Sequence, residues 1–219
     1  LATTQTGMND PIGLAYDASS TMLYVVENTN NRVTIFGVST VSVADATFTE
    51  TDATGTAQFT VSLSRAAGST VTVDYTTAAG TAVTTTDYTA TTGTITFSVG
   101  QTTTSVSIPI VGDTLDEEDE TFVLNLSNAS GATISDSQAT MTITDNDAAP
   151  TVTLSVNNAS LTAASTTATF TATLSAASGK TVTVNFDFSG TATLNTDYTR
   201  SATSTTIAAG ATTGTITAT

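Results

Sequence analysis

The sequence predicts an all-β protein built from β-sandwiches, on three observations. Threonine, β-branched and polar, makes up about a quarter of the chain, and it suits the solvent face of a strand. Apolar residues recur at every second position in short runs, the period of a half-buried strand. Gly-, Asn-, Asp- and Ser-rich turns separate those runs. A length of 219 residues allows one large or two ordinary domains.

Residues 1–38 hold three short apolar runs, Gly13–Tyr16, Leu23–Val26 and Val33–Phe36. Turn-formers at Asp17 to Ser20 and Asn28 to Asn31 separate them, which predicts a small antiparallel meander. Pro11, Gly13, Leu14, Ala15 and Asp17, then Leu23, Tyr24 and Val25, then Asn31, Arg32, Val33 and Phe36 resemble one blade of the NHL and related β-propeller families. One blade cannot close a propeller core. Asp17 and Glu27 are therefore expected to be turn and strand-end residues, not an enzymatic pair.

Residues 39–148 alternate clearly. An opening strand over Val41–Phe48 is followed by Phe59, Val61 and Leu63 on one face, and then by Val71, Val73 and Tyr75. Ile95 and Phe97 come next, then Val106, Ile108 and Ile110. Phe122, Leu124 and Leu126 follow, with Met141 and Ile143 last. About seven strands in roughly a hundred residues is the count of an immunoglobulin-like sandwich, its apolar positions forming two inner faces.

Residues 149–219 repeat that pattern. The stretch TVSLSRAAGSTVTVDY (60–75) aligns with TATLSAASGKTVTVNF (171–186), TTDYT (85–89) with NTDYT (195–199), and VGQTTTSVSI (99–108) with AGATTGTITA (209–218). This is a tandem repeat, with Pro150 at the boundary. On that alignment the second copy ends within its fifth strand, without the acidic loop and last two strands. The expectation is either a piece of a longer chain or a sandwich completed by strands of another molecule.

Charge and composition exclude several functions. Charged residues are 11% of the chain and the net charge is −15. The basic residues are Arg32, Arg65, Lys180 and Arg200, so no basic stripe is available for nucleic acid or an anionic membrane surface. No apolar run approaches the ~20 residues of a spanning helix, so no membrane insertion is expected. The first residues show no basic region followed by an apolar one, so no signal peptide is expected in them. Cysteine and histidine are absent, which removes thiolate sites, the commonest general base and the usual zinc ligands. No enzyme is expected. Carboxylate, hydroxyl and carbonyl oxygens remain, and these hard donors suit calcium. Three N-glycosylation patterns begin at Asn125, Asn128 and Asn158, the first within a predicted strand.

Six carboxylates fall between Asp113 and Glu120, in the stretch DTLDEEDETF. Together with FTETDATGTAQFTVSLSR (48–65), VDYTTAAGTAVTTTDYTATTGTITFSVGQTTTSVSIPI (73–110) and ATMTITDND (139–147), this stretch resembles the Calx-beta domain, a calcium-binding sandwich. The resemblance spans essentially the whole of 39–148. It implies a ligand pole made by Glu50, Asp87, Asp113, Glu117, Glu120, Asp145 and Asp147, with Ca2+ as the ion. Such a cluster repels itself without a cation, so at least one carboxylate should have a raised pKa. Gly112 and Asn146 stand where some members carry acids, implying fewer or weaker ions. Asp116, Glu118 and Asp119 are expected to be loop-surface acids, and Asp74 and Asp136 solvated. The second copy has no strand-end acid, and Asp197 reads as a turn residue, so no calcium is expected there.

These readings imply a calcium-binding structural or adhesive module of an extracellular bacterial surface protein or filament, with calcium stiffening the junction between domains. Neighbouring domains, identical subunits or a cell-surface or matrix ligand would be its partners. The alternative is a self-assembling filament subunit whose open second sandwich accepts strands from a neighbour, without a calcium requirement.

Overall fold

The structure, a computed structural model, describes residues 11–17, 22–27, 32–161 and 167–219. The described residues form strands, turns and bends. The N-terminal meander is present as β1 (Pro11–Asp17), β2 (Met22–Glu27) and β3 (Arg32–Gly37), paired antiparallel in that order. Its predicted turns at 18–20 and 28–31 lie outside the described residues. Asp17 pairs with Met22 and Glu27 with Pro11, which puts these two acids at opposite ends of the β1–β2 ribbon.

The first repeat is a sandwich of two sheets. Its strands are β4 (Thr40–Val43), β5 (Ala46–Thr49), β6 (Gly55–Leu63), β7 (Val71–Ala79), β8 (Thr92–Phe97), β9 (Thr103–Ile110), β10 (Glu120–Ser130), β11 (Thr133–Ile134) and β12 (Gln138–Thr144). One sheet runs β5-β12-β10-β7-β8, the other β11-β4-β6-β9. The predicted inner faces form one core, with Phe59, Val61, Phe97, Ile108, Phe122, Leu124 and Met141 buried in it. Tyr88 lies fully buried among them, stacked on Phe122 at 4.2 Å, and Phe59 meets Phe122 edge-on at 5.9 Å. Asn125 sits inside β10, where its amide oxygen accepts a hydrogen bond from Gln138 Nε2.

One predicted strand is corrected. Residues 41–48 are not continuous: β4 lies in one sheet and β5 in the other, and the short β11 brings the segment count above seven. The inward positions change parity between them, from Val41 and Val43 to Ala46 and Phe48. Because side chains alternate faces with period two, a parity change needs a break. Ala44 and Asp45 supply it. The Ala44 amide donates to Thr60 O on one sheet, and Asp45 Oδ1 accepts from the Thr140 amide on the other.

The second repeat has β13 (Val152–Val156), β14 (Ala168–Leu174) and β17 (Thr213–Ala218) in one sheet, and β15 (Val182–Asn185) with β16 (Ser204–Ile207) in another. Ala172, Leu174 and Ile207 make a small core, flanked by Val182, Val184, Phe186 and Ala211. Val152 and Leu154 of β13 are 45% and 61% exposed, whereas Val41 and Val43 at the matching positions of β4 are buried.

Candidate metal centre

Strand pairing decides where the acids meet. β5 and β12 run parallel with Thr49 opposite Thr144, so both strands end at the same pole. The next residues, Glu50 and Asp145, therefore stand side by side, and the Glu50 amide donates to Thr144 O at 3.0 Å. β10 is antiparallel to β12 and starts there, with Glu120 opposite Ile143. β9 ends at the same pole, since Ile110 pairs with Gly55 at the start of β6. The loop carrying Asp113 and Glu117 leaves from β9 and enters β10. Asp87, in the loop between β7 and β8, is tied to this pole because the Val111 amide donates to its carbonyl.

Glu50, Asp145 and Asp147 form the tightest group, with ligand oxygens all within 4.8 Å of one another. Two oxygens bound to one calcium ion at about 2.3–2.6 Å stand no more than roughly 4.6–5.2 Å apart, so this spacing fits a shared ion. Asp145 is held in place, its Oδ2 accepting from the Glu117 amide at 3.2 Å and its Oδ1 from the Asp147 amide at 3.1 Å. Asp147 Oδ2 is buried with no hydrogen-bond partner. A buried carboxylate oxygen left unpaired is costly unless a cation or proton reaches it.

The other four predicted acids lie around this trio. Burial, followed by Asp113, Asp145, Glu117 and Asp147, raises Glu50 to about 7. Burial and a hydrogen bond with Asp87 raise Glu120 to about 7, with further repulsion from Asp87, Glu117 and Glu50. Glu117 is pushed up by burial and then by Asp113 and Asp87. Asp147 is pushed up by burial and then by Asp52. Each of the seven predicted residues thus interacts with at least one other of them at this pole. The expected raised carboxylate is found at several positions, because like charges in a partly dry site cannot all ionise freely.

Two acids have roles that the sequence reading missed. Asp52, two residues after Glu50 in an exposed turn, repels Asp147 from the rim of the pole. Asp116 is corrected from a surface acid: it is 7% exposed and ion-pairs Lys180 of the second repeat at 2.6 Å. The Lys180 hydrogen bond holds its carboxyl below the usual range. Nothing local marks Asp116, since its partner lies 64 positions away in the sequence. Glu118 and Asp119 are exposed, though Asp119 Oδ1 accepts from the Asp145 amide. Asp74 accepts hydrogen bonds from Thr94 and Asn128.

Gly112 has no room for a side chain. A Cβ there would run into the carbonyl oxygen of Thr51 and stand 2.7 Å from that of Ala53, so the 51–53 turn closes against bare backbone. In the second repeat, Asp197 Oδ2 accepts from the Thr193 amide at 2.8 Å, and Asn195 has a positive φ. Asp87 and Thr85 build the same turn in the first repeat. Asp197 thus caps the same kind of turn as Asp87, but among the described residues no acidic group with ligand spacing occurs around it in the second repeat.

The fold and this pole define a tandem β-sandwich protein whose first repeat gathers carboxylates at one end. The Calx-beta domain family matches residues 37–147 and again 145–219, and the chain belongs to that family. The match begins at residue 37 and leaves the blade-like resemblance of the N-terminal meander unconfirmed. Among solved structures, the chain is similar to the apo-form Calx CBD1 domain, with 26% identity and a TM-score of 0.46, covering 50% of this chain and 99% of that one. It is also similar to CBD12 from CALX1.2, with 22% identity and a TM-score of 0.45, covering 81% and 75%. The calcium binding domain CBD12 of CALX1.1 shows 21% identity and a TM-score of 0.46, covering 81% and 74%. No curated protein matches the chain significantly.

Proposed function

We propose that the chain is a calcium-binding structural module of an extracellular protein, organised as a meander (1–38), a calcium-binding sandwich (39–148) and a second, partial sandwich (149–219). The observation that carries the calcium assignment is the Glu50–Asp145–Asp147 trio with its unpaired buried oxygen. Glu50, Asp145 and Asp147 hold the ion, while Asp113, Glu117, Glu120 and Asp87 complete its oxygen shell or hold a second ion. Calcium needs six to eight oxygens, which this many carboxylates supply together with water. Binding removes the mutual repulsion and ties together the strand ends at the pole just before the linker Ala148-Ala149-Pro150. At a hundred times its dissociation constant, an ion adds about 2.7 kcal/mol of stability. An adhesive role at a bacterial surface, with neighbouring domains or a matrix ligand as partners, is part of this reading. It is supported by the acidic, cysteine-free composition.

Calcium titration of the full chain by calorimetry, with melting in chelator and in calcium, tests the assignment. Saturable heat and a raised melting temperature are expected, both lost in Glu50→Gln and reduced in Glu117→Gln. No heat at millimolar calcium would make the pole a solvated acidic end. A second reading rests on the exposed apolar residues of β13. In it, strands of a neighbouring subunit complete the second sandwich and build a filament, which native mass measurement would show as concentration-dependent assembly.

A further inference from the structure

In one turn the second repeat departs from the first at three positions: Arg65 corresponds to Ala176, and two further changes reach across to the first repeat. In the tandem alignment, Ala67 and Ser69 of the first repeat correspond to Ser178 and Lys180 of the second. The turn's scaffold is the same in both copies. The Gly100 amide donates to Ala67 O at 2.8 Å, and the Gly210 amide to Ser178 O at 2.8 Å. Only the side chains differ, and both reach Asp116 in the acidic loop of the first repeat.

The contact is complete in protein groups. Asp116 Oδ1 takes the Lys180 ammonium at 2.6 Å, and Oδ2 lies 3.1 Å from Ser178 Oγ. The Asp116 carbonyl accepts from the Gly179 amide at 3.1 Å, and Ser178 Oγ also stands 3.1 Å from it. The Lys180 amide donates back to Ser178 Oγ at 3.0 Å, and Lys180 Nζ reaches Glu117 O at 3.4 Å. Asp116 and Ser178 are 7% and 1% exposed. A Cβ on Gly179 would strike the Glu117 carboxylate, so glycine lets the two backbones close. Exposed ion pairs contribute little, but a buried carboxylate with every oxygen met by a donor has a fixed geometry.

Relative motion is the default for linked domains. We propose that Ser178, Gly179 and Lys180 lock onto Asp116 and fix the orientation of the two repeats without any metal ion. Ser178 and Lys180, two of the second repeat's departures from the first in this turn, are the side chains of the lock. The chain's single lysine brings a tethered cation to the acidic loop. This inference does not depend on the calcium assignment: Ser178, Gly179 and Lys180 hold Asp116 without an ion, although Glu117, a proposed ligand, also borders Gly179 and Lys180.

The test uses the full chain with Ser107→Cys and Thr206→Cys, exposed sites in the two repeats of a protein without cysteine, carrying spin labels. Pulsed electron paramagnetic resonance in chelator should give one narrow distance for the wild-type background. Ser178→Ala/Lys180→Ser, which installs the first repeat's own residues, should lose it and give a broad distribution, and Lys180→Arg should retain it. A broad wild-type distribution in chelator, or an unchanged one in the double variant, would overturn the lock. Calorimetry on the same samples reads calcium separately. A narrow distance without calcium heat sinks the calcium assignment alone, and a distance that narrows only on adding calcium sinks the lock alone.

Discussion

Glu50 concentrates the electrostatics of the acidic pole in one side chain. Its folded pKa stands at about 7 against an ordinary 4.5, and Glu120 is raised as far. Between those values the folded chain holds protons that the unfolded chain has released. Without a divalent ion, stability is therefore greatest below about pH 4.5 for these groups and falls as pH rises through about 7. Asp74 and Asp116 are shifted the other way, and their contribution is lost only in stronger acid. Melting temperature in chelator should accordingly fall from about pH 5 to about pH 8, and calcium should abolish the fall by replacing the protons. Apparent calcium affinity should rise over the same range. Glu50→Gln should reduce the fall in the chelator curve, leaving the share that Glu120 contributes, and remove the calcium response. A flat wild-type curve in chelator would contradict the raised carboxylates. The candidate residues themselves were legible in the sequence, through their resemblance to a family pattern. Their protonation was not, because desolvation depends on which loops close over them.

Elements bring those residues together through register. The parallel β5–β12 pair aligns Thr49 with Thr144, and that alignment alone makes Glu50 and Asp145 neighbours. Alternation in the sequence revealed the strands and their inner faces, since period two survives in any sheet. It did not reveal which sheet each strand joins. The shift from odd to even inward positions between Val43 and Ala46 was the available sign that the opening strand divides. Gly112 sets the loop closure at this level, with the Thr51 and Ala53 carbonyls against its α-carbon. Gly112→Ala must push the 51–53 turn away. It should cost about 1–3 kcal/mol by thermal or denaturant melting, as overpacking does, and weaken calcium binding by displacing Glu50 and Asp52. An alanine variant with wild-type stability and binding would show that this turn does not shape the pole.

At the scale of the molecule the two repeats differ in how much they bury. The first has a continuous two-sheet core, while the core cluster of the second comprises only Ala172, Leu174 and Ile207 among the described residues, and the apolar residues of β13 are left open. Fewer buried contacts mean lower local stability. Amides of β13–β17 should exchange with solvent faster than those of β4–β12 at low protein concentration. Equal protection at low concentration would contradict that difference, and slowing with concentration would support completion by a neighbour. The sequence by itself determined the β class, the tandem repeat, the inner faces and the family, because periodicity and local motifs need no knowledge of distant contacts. Only the tertiary structure decided the strand crossover, the raised Glu50 and Glu120, and the grip of Ser178 and Lys180 on Asp116. Each depends on groups far apart in the chain being brought within a few ångströms, and burial and Coulomb energy act on distance in space.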